Sequence, residues 1–371
     1  MKSGNRFLEL IEDMPRDARC RAVPQYHIEL SGYRVNFHSS EGDLDALRTF
    51  YRPYYELRSG IVPDAHLLVV ALVSAGTSEL RPSVTDMRVY LQPSEAVFHN
   101  RRYSLYIRPT TNIQVLVDRS ERRIIVRAGN PVESNLQMRT LVRDQILRQI
   151  EKPDGSVVFH GSAVQKEGMG IAFMGPRNAG KTTSLLSFMA YQHYDFLSAD
   201  RVKLRSEAGG IAMVGMPARC NITRVALERD PFLKPIRERL HVAYDFEGKS
   251  LIEIGPIIEL AGVRHVAGAW LRVIVFPELR EDHVGLDVDV LNDPEEVKQQ
   301  LEANVMEGTT LDKHVHWLHY FPDKRGDLQT RTQTVTAAVA RTVRFLRVRA
   351  SHGRYAAAVH SGAFDPWSFV S

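Results

Sequence analysis

The sequence predicts an α/β protein in two parts: residues 1–130 as an antiparallel-rich α+β domain, and residues 131–371 as a domain built on a strand–loop–helix. Three observations predict it. "IAFMGPRNAGKTTSLL", Ile171 to Leu186, runs from an apolar strand through a Gly/Pro/Asn turn into a helical segment and matches G-x-x-x-x-G-K-[ST]. Before residue 130 the chain offers strand after strand, with turn residues between them. Directly after the turn "GNP", Gly129 to Pro131, the pattern changes to a helical one, and this sets the boundary.

Taken in order, "YHIELSGYRVNFHS" alternates apolar and polar residues on both sides of Ser31-Gly32, which predicts a hairpin. "EGDLDALRTFYRPYYEL" predicts a helix that ends near Pro53, because proline cannot continue the helical hydrogen-bond ladder. "HLLVVALVSA", "MRVYLQ", "SEAVFHN", "YSLYIRP", "IQVLVDR" and "RRIIVRAG" predict successive strands. Leu136, Leu141, Val142, Ile146 and Ile150 then form the apolar stripe of a core-facing helix.

In the second part, "GSVVFHGSAVQKEGMGIAFM" predicts two strands around Gly168 to Gly170, and "TTSLLSFMAYQ" an amphipathic helix. "YDFLSADRVKLRSEAGGIAMVGMPARCNI" predicts a strand, a turn at Gly209-Gly210 and a strand. "AWLRVIVFPEL" is a strongly apolar strand, "DPEEVKQQLEANVME" a helix with acidic residues in its first turn, and "RTVRFLRVRASHGRYAAAVH" holds a last strand. No repeat or low-complexity segment is visible.

A hydrophobic content of 44% and a charged content of 25% are those of a soluble globular chain, and 371 residues suffice for two cores. The net charge of +4, without long basic runs, argues against nucleic acid and for anionic small ligands in local Arg pockets. Cys20 and Cys220 are too few for a disulfide framework or thiolate metal site. Acidic residues occupy the place where a signal peptide would need an apolar stretch, and no run approaches ~18 apolar residues. The expectation is a cytoplasmic protein with no membrane or nucleic-acid partner.

The loop's chemistry is legible residue by residue. Gly175 and Gly180 permit backbone conformations that side chains resist, so N–H groups from Arg177, Asn178, Ala179 and Gly180 through Lys181, Thr182 and Thr183 can turn inward around phosphates. Lys181 places a cation on the β/γ-phosphates, Thr182 offers a hydroxyl to Mg²⁺, and the helix aims its positive end at the same anion. Arg177, within the loop, could contact the terminal phosphate and stabilise charge developing in transfer. ATP with Mg²⁺ is the ligand this chemistry suits.

"VVFHGSAV" upstream of the loop, "MGPRNAGKTTSLLSFM" itself, "YDFLSADRVKL" about twenty residues on, and "VGMP" after a short strand together resemble the HPr kinase/phosphorylase-like family. That family is a branch of the P-loop kinases related in fold to phosphoenolpyruvate (PEP) carboxykinase. The resemblance covers roughly residues 155 to 220 and implies an HPr-kinase/PEP-carboxykinase-like C-terminal domain acting as a kinase. It implies that His160 lies near the γ-phosphate and orients the reacting groups. It also implies two consecutive carboxylates after the next strand, one a base and one associated with the metal. Here that pair is Ala199 and Asp200. Asp200 can hold Mg²⁺, but a methyl group cannot accept a proton.

Three explanations fit this departure: a kinase whose base is His160 or part of the substrate, a regulatory relative without transfer chemistry, or a chain in which an aspartate at 199 was replaced. The family's second signature matches "SLIEIGPIIEL" only loosely, with Glu253 as its counterpart; an ordinary strand with one exposed Glu is the simpler reading, and this departure weakens the case for HPr as substrate. PEP carboxykinase chemistry lacks its upstream lysine and histidine metal ligands here. Related kinases are often oligomers, so a homo-oligomer is in keeping with the resemblance.

Arg219 and Arg224, after the turn at Met216-Pro217, could form a forked anion site or be solvated surface charges. His314, His316 and His319 invite a zinc reading, but only the last two share a helix face and no H-E-x-x-H is present. The sequence therefore predicts an ATP- and Mg²⁺-dependent kinase acting on a hydroxyl or similar nucleophile of a small metabolite or peptide. The alternative is a nucleotide-binding regulatory or scaffold protein of the same fold.

Overall fold

A computed structural model describes residues 25–30, 33–38, 41–73, 88–92, 95–99, 103–108, 113–130, 155–239, 248–306 and 325–370, together with Val132, Ser134, Asn135 and Arg139. The predicted helix after residue 131 lies largely outside these residues, as do Cys20 and the His314, His316 and His319 cluster. The chain divides into two compact units, one within residues 1–153 and 315–322, the other within 154–314 and 323–371. Among the described residues no helix is long and apolar enough to cross a membrane.

Among the described residues the first unit is built on one nine-stranded sheet. β1 (Gln25–Leu30) and β2 (Tyr33–His38) form the expected hairpin, with Leu30 opposite Tyr33. α1 (Glu41–Tyr51) follows, then β3 (Arg58–Ser59), β4 (Leu67–Val73), β5 (Arg88–Gln92), β6 (Glu95–His99), β7 (Tyr103–Arg108), β8 (Ile113–Asp118) and β9 (Arg123–Ala128). The strand order is β3-β1-β2-β4-β9-β8-β7-β6-β5. All pairings are antiparallel except β2–β4 and β4–β9. The parallel β2–β4 pair needs a crossover, and α1 supplies it. Leu47, Phe50 and Tyr51 of α1 share a core with Val35, Phe37, Val69, Val115 and Val126.

The second unit carries the loop. β10 (Val157–Lys166) and β11 (Met169–Met174) form a hairpin, and α2 (Lys181–Gln192) follows the loop. Then come β12 (Asp195–Ser198), β13 (Arg201–Glu207), β14 (Gly210–Gly215), β15 (Cys220–Thr223), α3 (Arg224–Arg229), α4 (Lys234–Arg239) and β16 (Lys249–Ile252). The chain ends through α5 (Ile254–Ala261), β17 (Gly268–Leu279), β18 (Leu286–Val290), α6 (Pro294–Ala303), α7 (Arg325–Thr342), β19 (Arg344–Ala350) and α8 (His352–Ser361).

The eight-stranded sheet runs β11-β10-β13-β14-β17-β19-β18, with β12 also on β10. β11 pairs in addition with β17 in parallel, so five strands close on themselves. One face is covered by α2 and α8, where Ile171, Phe173, Leu185, Phe188, Val273 and Val359 share a cluster. The other is covered by α6 and α7, where Phe159, Met174, Ile274, Leu301, Val335 and Phe345 share another.

One expectation needs correction. The strand in "SLIEIGPIIEL" stops at Ile252; Glu253 is the N-cap residue of α5, and Gly262 in the left-handed region ends that helix. Pro256 is tolerated because the first helical turn needs no intrahelical N–H donor.

His265 pairs with β12 through a bridge to Phe196, their rings 4.8 Å apart, and burial pushes its imidazole down to about 4 from the ordinary 6.5. Between those two values the unfolded chain binds a proton that the folded chain refuses, so stability is lost as pH falls through that window. The loss should approach roughly 1.4 kcal/mol per pH unit from this group. Urea midpoints of wild type and His265→Gln at pH 7 and pH 4.5 test this: the variant should lose less stability on acidification, and equal losses would rule out the assignment.

Candidate phosphate site

β11 delivers the loop and β10 delivers the residues that face it. Gly175, Asn178 and Gly180 have φ of 145°, 64° and 108°, turning the chain back over the start of α2. Asn is among the few residues with a side chain that visit this region readily. A Cβ on Gly180 would lie 2.5 Å from both Cγ and Cδ1 of Leu279, the last residue of β17, so the loop is pressed against its parallel neighbour strand. The Leu279 N–H donates to the Ala179 carbonyl at 3.0 Å and fixes that approach.

The helix that starts at Lys181 has no side-chain cap; its N-cap is Gly180. Its first-turn N–H groups therefore keep the partial positive charge that attracts an anion. Lys181 Nζ donates to the carbonyls of Gly175 at 2.8 Å and Pro176 at 2.7 Å, folding its side chain back over the loop. Burial pushes the ammonium down to about 8; the Asp200 carboxylate pulls it back up and Lys249 pushes it further down. An anion beside this ammonium would restore its ordinary basicity, which is the condition that a triphosphate meets.

Thr182 Oγ1 donates to the Asn221 carbonyl of β15 at 3.3 Å, and a hydroxyl that gives away its proton keeps its lone pairs for a cation. Thr183 is half-buried in the same turn, Ala179 is buried, and Arg177 and Asn178 are exposed at the loop's tip.

His160 lies one residue before the segment where β10 pairs with the end of β11, and opposite Arg201 on β13. Its Nε2 is 3.5 Å from Asp200 Oδ1, and Arg201 Nε is 3.5 Å from Asp200 Oδ2. The Gly161 N–H donates to the Asp200 carbonyl at 3.0 Å, which ties the β12–β13 turn to β10. Two residues along β10, the buried Ser162 hydroxyl donates to the Lys181 carbonyl at 3.0 Å. The histidine and carboxylate are thereby joined to the helix that begins the phosphate site.

Ala199 is 8% exposed and belongs to the same apolar cluster as Ala218, Cys220 and Ile222. Cys220 is a buried thiol pushed up to about 12, by burial first and the Asp200 charge second, and so is no nucleophile. Arg224 is exposed and pairs with Glu228 on its own short helix at 3.3 Å, while Arg219 is half-buried. Among the described residues no group of three His, Cys, Asp or Glu side chains could hold a metal by itself.

Three further contacts went unpredicted. Asn304 at the end of α6, Ser162 of β10 and the Asn221 carbonyl all touch the loop or its helix. Only Asn304 carries a local signal, since Asn is common where helices end.

The residues fit nucleotide and metal on chemical grounds. The loop is a cradle that a Cβ at Gly180 would disrupt, its helix N-terminus is uncapped, and Thr182 and Asp200 are hard oxygen donors of the type Mg²⁺ takes. Gly180→Ala should therefore weaken Mg·ATP binding more than tenfold while costing about 1–3 kcal/mol in urea unfolding. Calorimetric titration of the variant checks it, and wild-type affinity would refute the cradle.

No family model matches the chain, and no curated protein matches it. Among solved structures it is similar to the Hpr(Ser) kinase/phosphatase from Coxiella burnetii, with 14% identity over 37% of this chain and 72% of that one, at a TM-score of 0.23. At that score the likeness lends no weight to the role of any residue, which rests on the distances above.

Proposed function

We propose that the chain is a nucleotide-dependent phosphotransferase that moves the γ-phosphoryl group of ATP to a hydroxyl or similar nucleophile on a small metabolite or peptide. The observation that carries this reading is the meeting of Lys181 and the uncapped start of α2 with the His160–Asp200 pair, through Ser162 and Gly161. Loop amides and Lys181 hold the β- and γ-phosphates. Thr182 and Asp200 would hold Mg²⁺, which supplies charge neutralisation to the phosphates.

His160 takes the role that the methyl group of Ala199 cannot. A proton on Nε2, turned toward Asp200 Oδ1, leaves Nδ1 as the basic atom. That atom accepts the proton of the acceptor hydroxyl as its oxygen bonds to phosphorus and the bond to ADP breaks. Asp200 stabilises the imidazolium so formed. Arg177, exposed at the loop's tip, would offer its guanidinium to charge that grows on the transferred group.

A second reading, a nucleotide-binding regulator without transfer chemistry, is favoured by one observation: position 199 is apolar and buried among apolar neighbours. Ala199→Asp would bury a carboxylate there and should cost a few kcal/mol of stability without raising turnover. Turnover appearing only in Ala199→Asp would establish the regulator reading for the present chain.

The direct test pairs nucleotide binding with product formation across an acceptor panel. Lys181→Ala should abolish both, and ATP-dependent product formation surviving in that variant would end this assignment of roles. His160→Gln should lower kcat by roughly 10²–10⁴ while leaving ATP affinity within a few-fold. A His160→Gln enzyme with unchanged kcat would move the base elsewhere.

A further inference from the structure

Asn304 stands where α6 ends, 4% exposed. Its Oδ1 accepts the N–H of Gly175, the first residue of the loop, at 2.9 Å. Its backbone carbonyl accepts the N–H of His160 at 2.7 Å. Its Nδ2 donates to the Gln300 carbonyl at 2.7 Å, closing the last turn of α6. One residue thus joins the loop's first peptide to the strand that bears the histidine.

The helix behind it is itself held to the sheet. Val297 and Leu301 lie in the core of that face, and Glu296 in the first turn pairs with Arg347 of β19. Arg347 Nε is also 3.1 Å from Glu278 Oε1 on β17, the strand that presses on the loop. The side chain of Asn304 is therefore presented from a rigid support.

We infer that Asn304 is a positioning residue of the nucleotide site, acting through the Gly175 N–H to hold the loop in its phosphate-receiving shape beside His160. This rests on the nucleotide-binding reading proposed above. The Gly175 amide leaves β11 in a buried position, at a φ that chiefly glycine adopts. Without an acceptor there it would be a buried unpaired donor, and the loop would turn to find another partner.

Two variants separate positioning from simple support of the helix end. Asn304→Ala removes both side-chain bonds; Asn304→Asp keeps an oxygen for Gly175 and loses the donation to Gln300. Calorimetry with Mg·ATP on the full chain, alongside urea unfolding, reads both. Positioning predicts at least a tenfold loss of affinity in Asn304→Ala and recovery to within about threefold of wild type in Asn304→Asp, although both lose the helix-end bond.

Equal affinities in wild type and Asn304→Ala would overturn the role while leaving the nucleotide site standing. If Asn304→Ala does not fold, the near-isosteric Asn304→Leu, which also lacks the acceptor, takes its place: a tenfold loss of affinity supports the role, and wild-type affinity refutes it. Failure of the wild type to bind Mg·ATP would instead remove the proposed function and this role with it.

Discussion

The second unit depends on one constraint: β11 is hydrogen-bonded along both edges, antiparallel to β10 and parallel to β17. A strand held on both sides cannot slide or tilt, because a slip of one residue would turn its whole buried face outward. The chain leaving Met174 therefore emerges at one fixed point, with the end of β17 on one side and His160 to Ser162 on the other. The close approach of Leu279 to Gly180, and the bond from Leu279 to the Ala179 carbonyl, follow from that register. So does the reach of Ser162 to the first residue of α2.

Charge is arranged around that point with little waste. Lys181 is desolvated and its ammonium donates to backbone carbonyls of its own loop, an arrangement in which a phosphate oxygen is a better partner than a peptide oxygen. Asp200 faces His160 on one oxygen and Arg201 on the other, so the carboxylate is compensated before any cation arrives. Its neighbour Ala199 turns into the apolar core, where a second carboxylate would lie desolvated among apolar side chains. The departure at 199 is thus consistent with its surroundings, and the proposed function gives the acid–base work to the His–Asp pair.

Much of the first unit was legible because its strands alternate and its turns are short. The hairpin of β1 and β2 and the ladder from β5 to β9 follow from local pattern alone. The parallel placing of β4 between β2 and β9 does not, since nothing local tells a strand which neighbour it will choose. In the second unit α7 escaped notice because "RGDLQTRTQTVTAAVART" has only a short apolar stripe, Val335, Ala338 and Val339, and is rich in Thr. Its hydroxyls turn back onto the preceding turn, as Thr334 to Thr330 and Thr336 to Thr332, and so cease to compete with the helix.

The sequence by itself determined the loop, the helix after it and the strand before it, because glycine placement, a lysine and apolar periodicity are properties of neighbouring residues. It also determined that position 199 holds no acid. Only the tertiary structure decided that Asp200 lies 3.5 Å from His160, that Ala199 faces a core, and that Asn304 holds Gly175 from 129 residues away. Those facts depend on strand pairing and helix docking between distant segments. Such pairings are selected by the burial of whole faces at once, and no short stretch of chain encodes them.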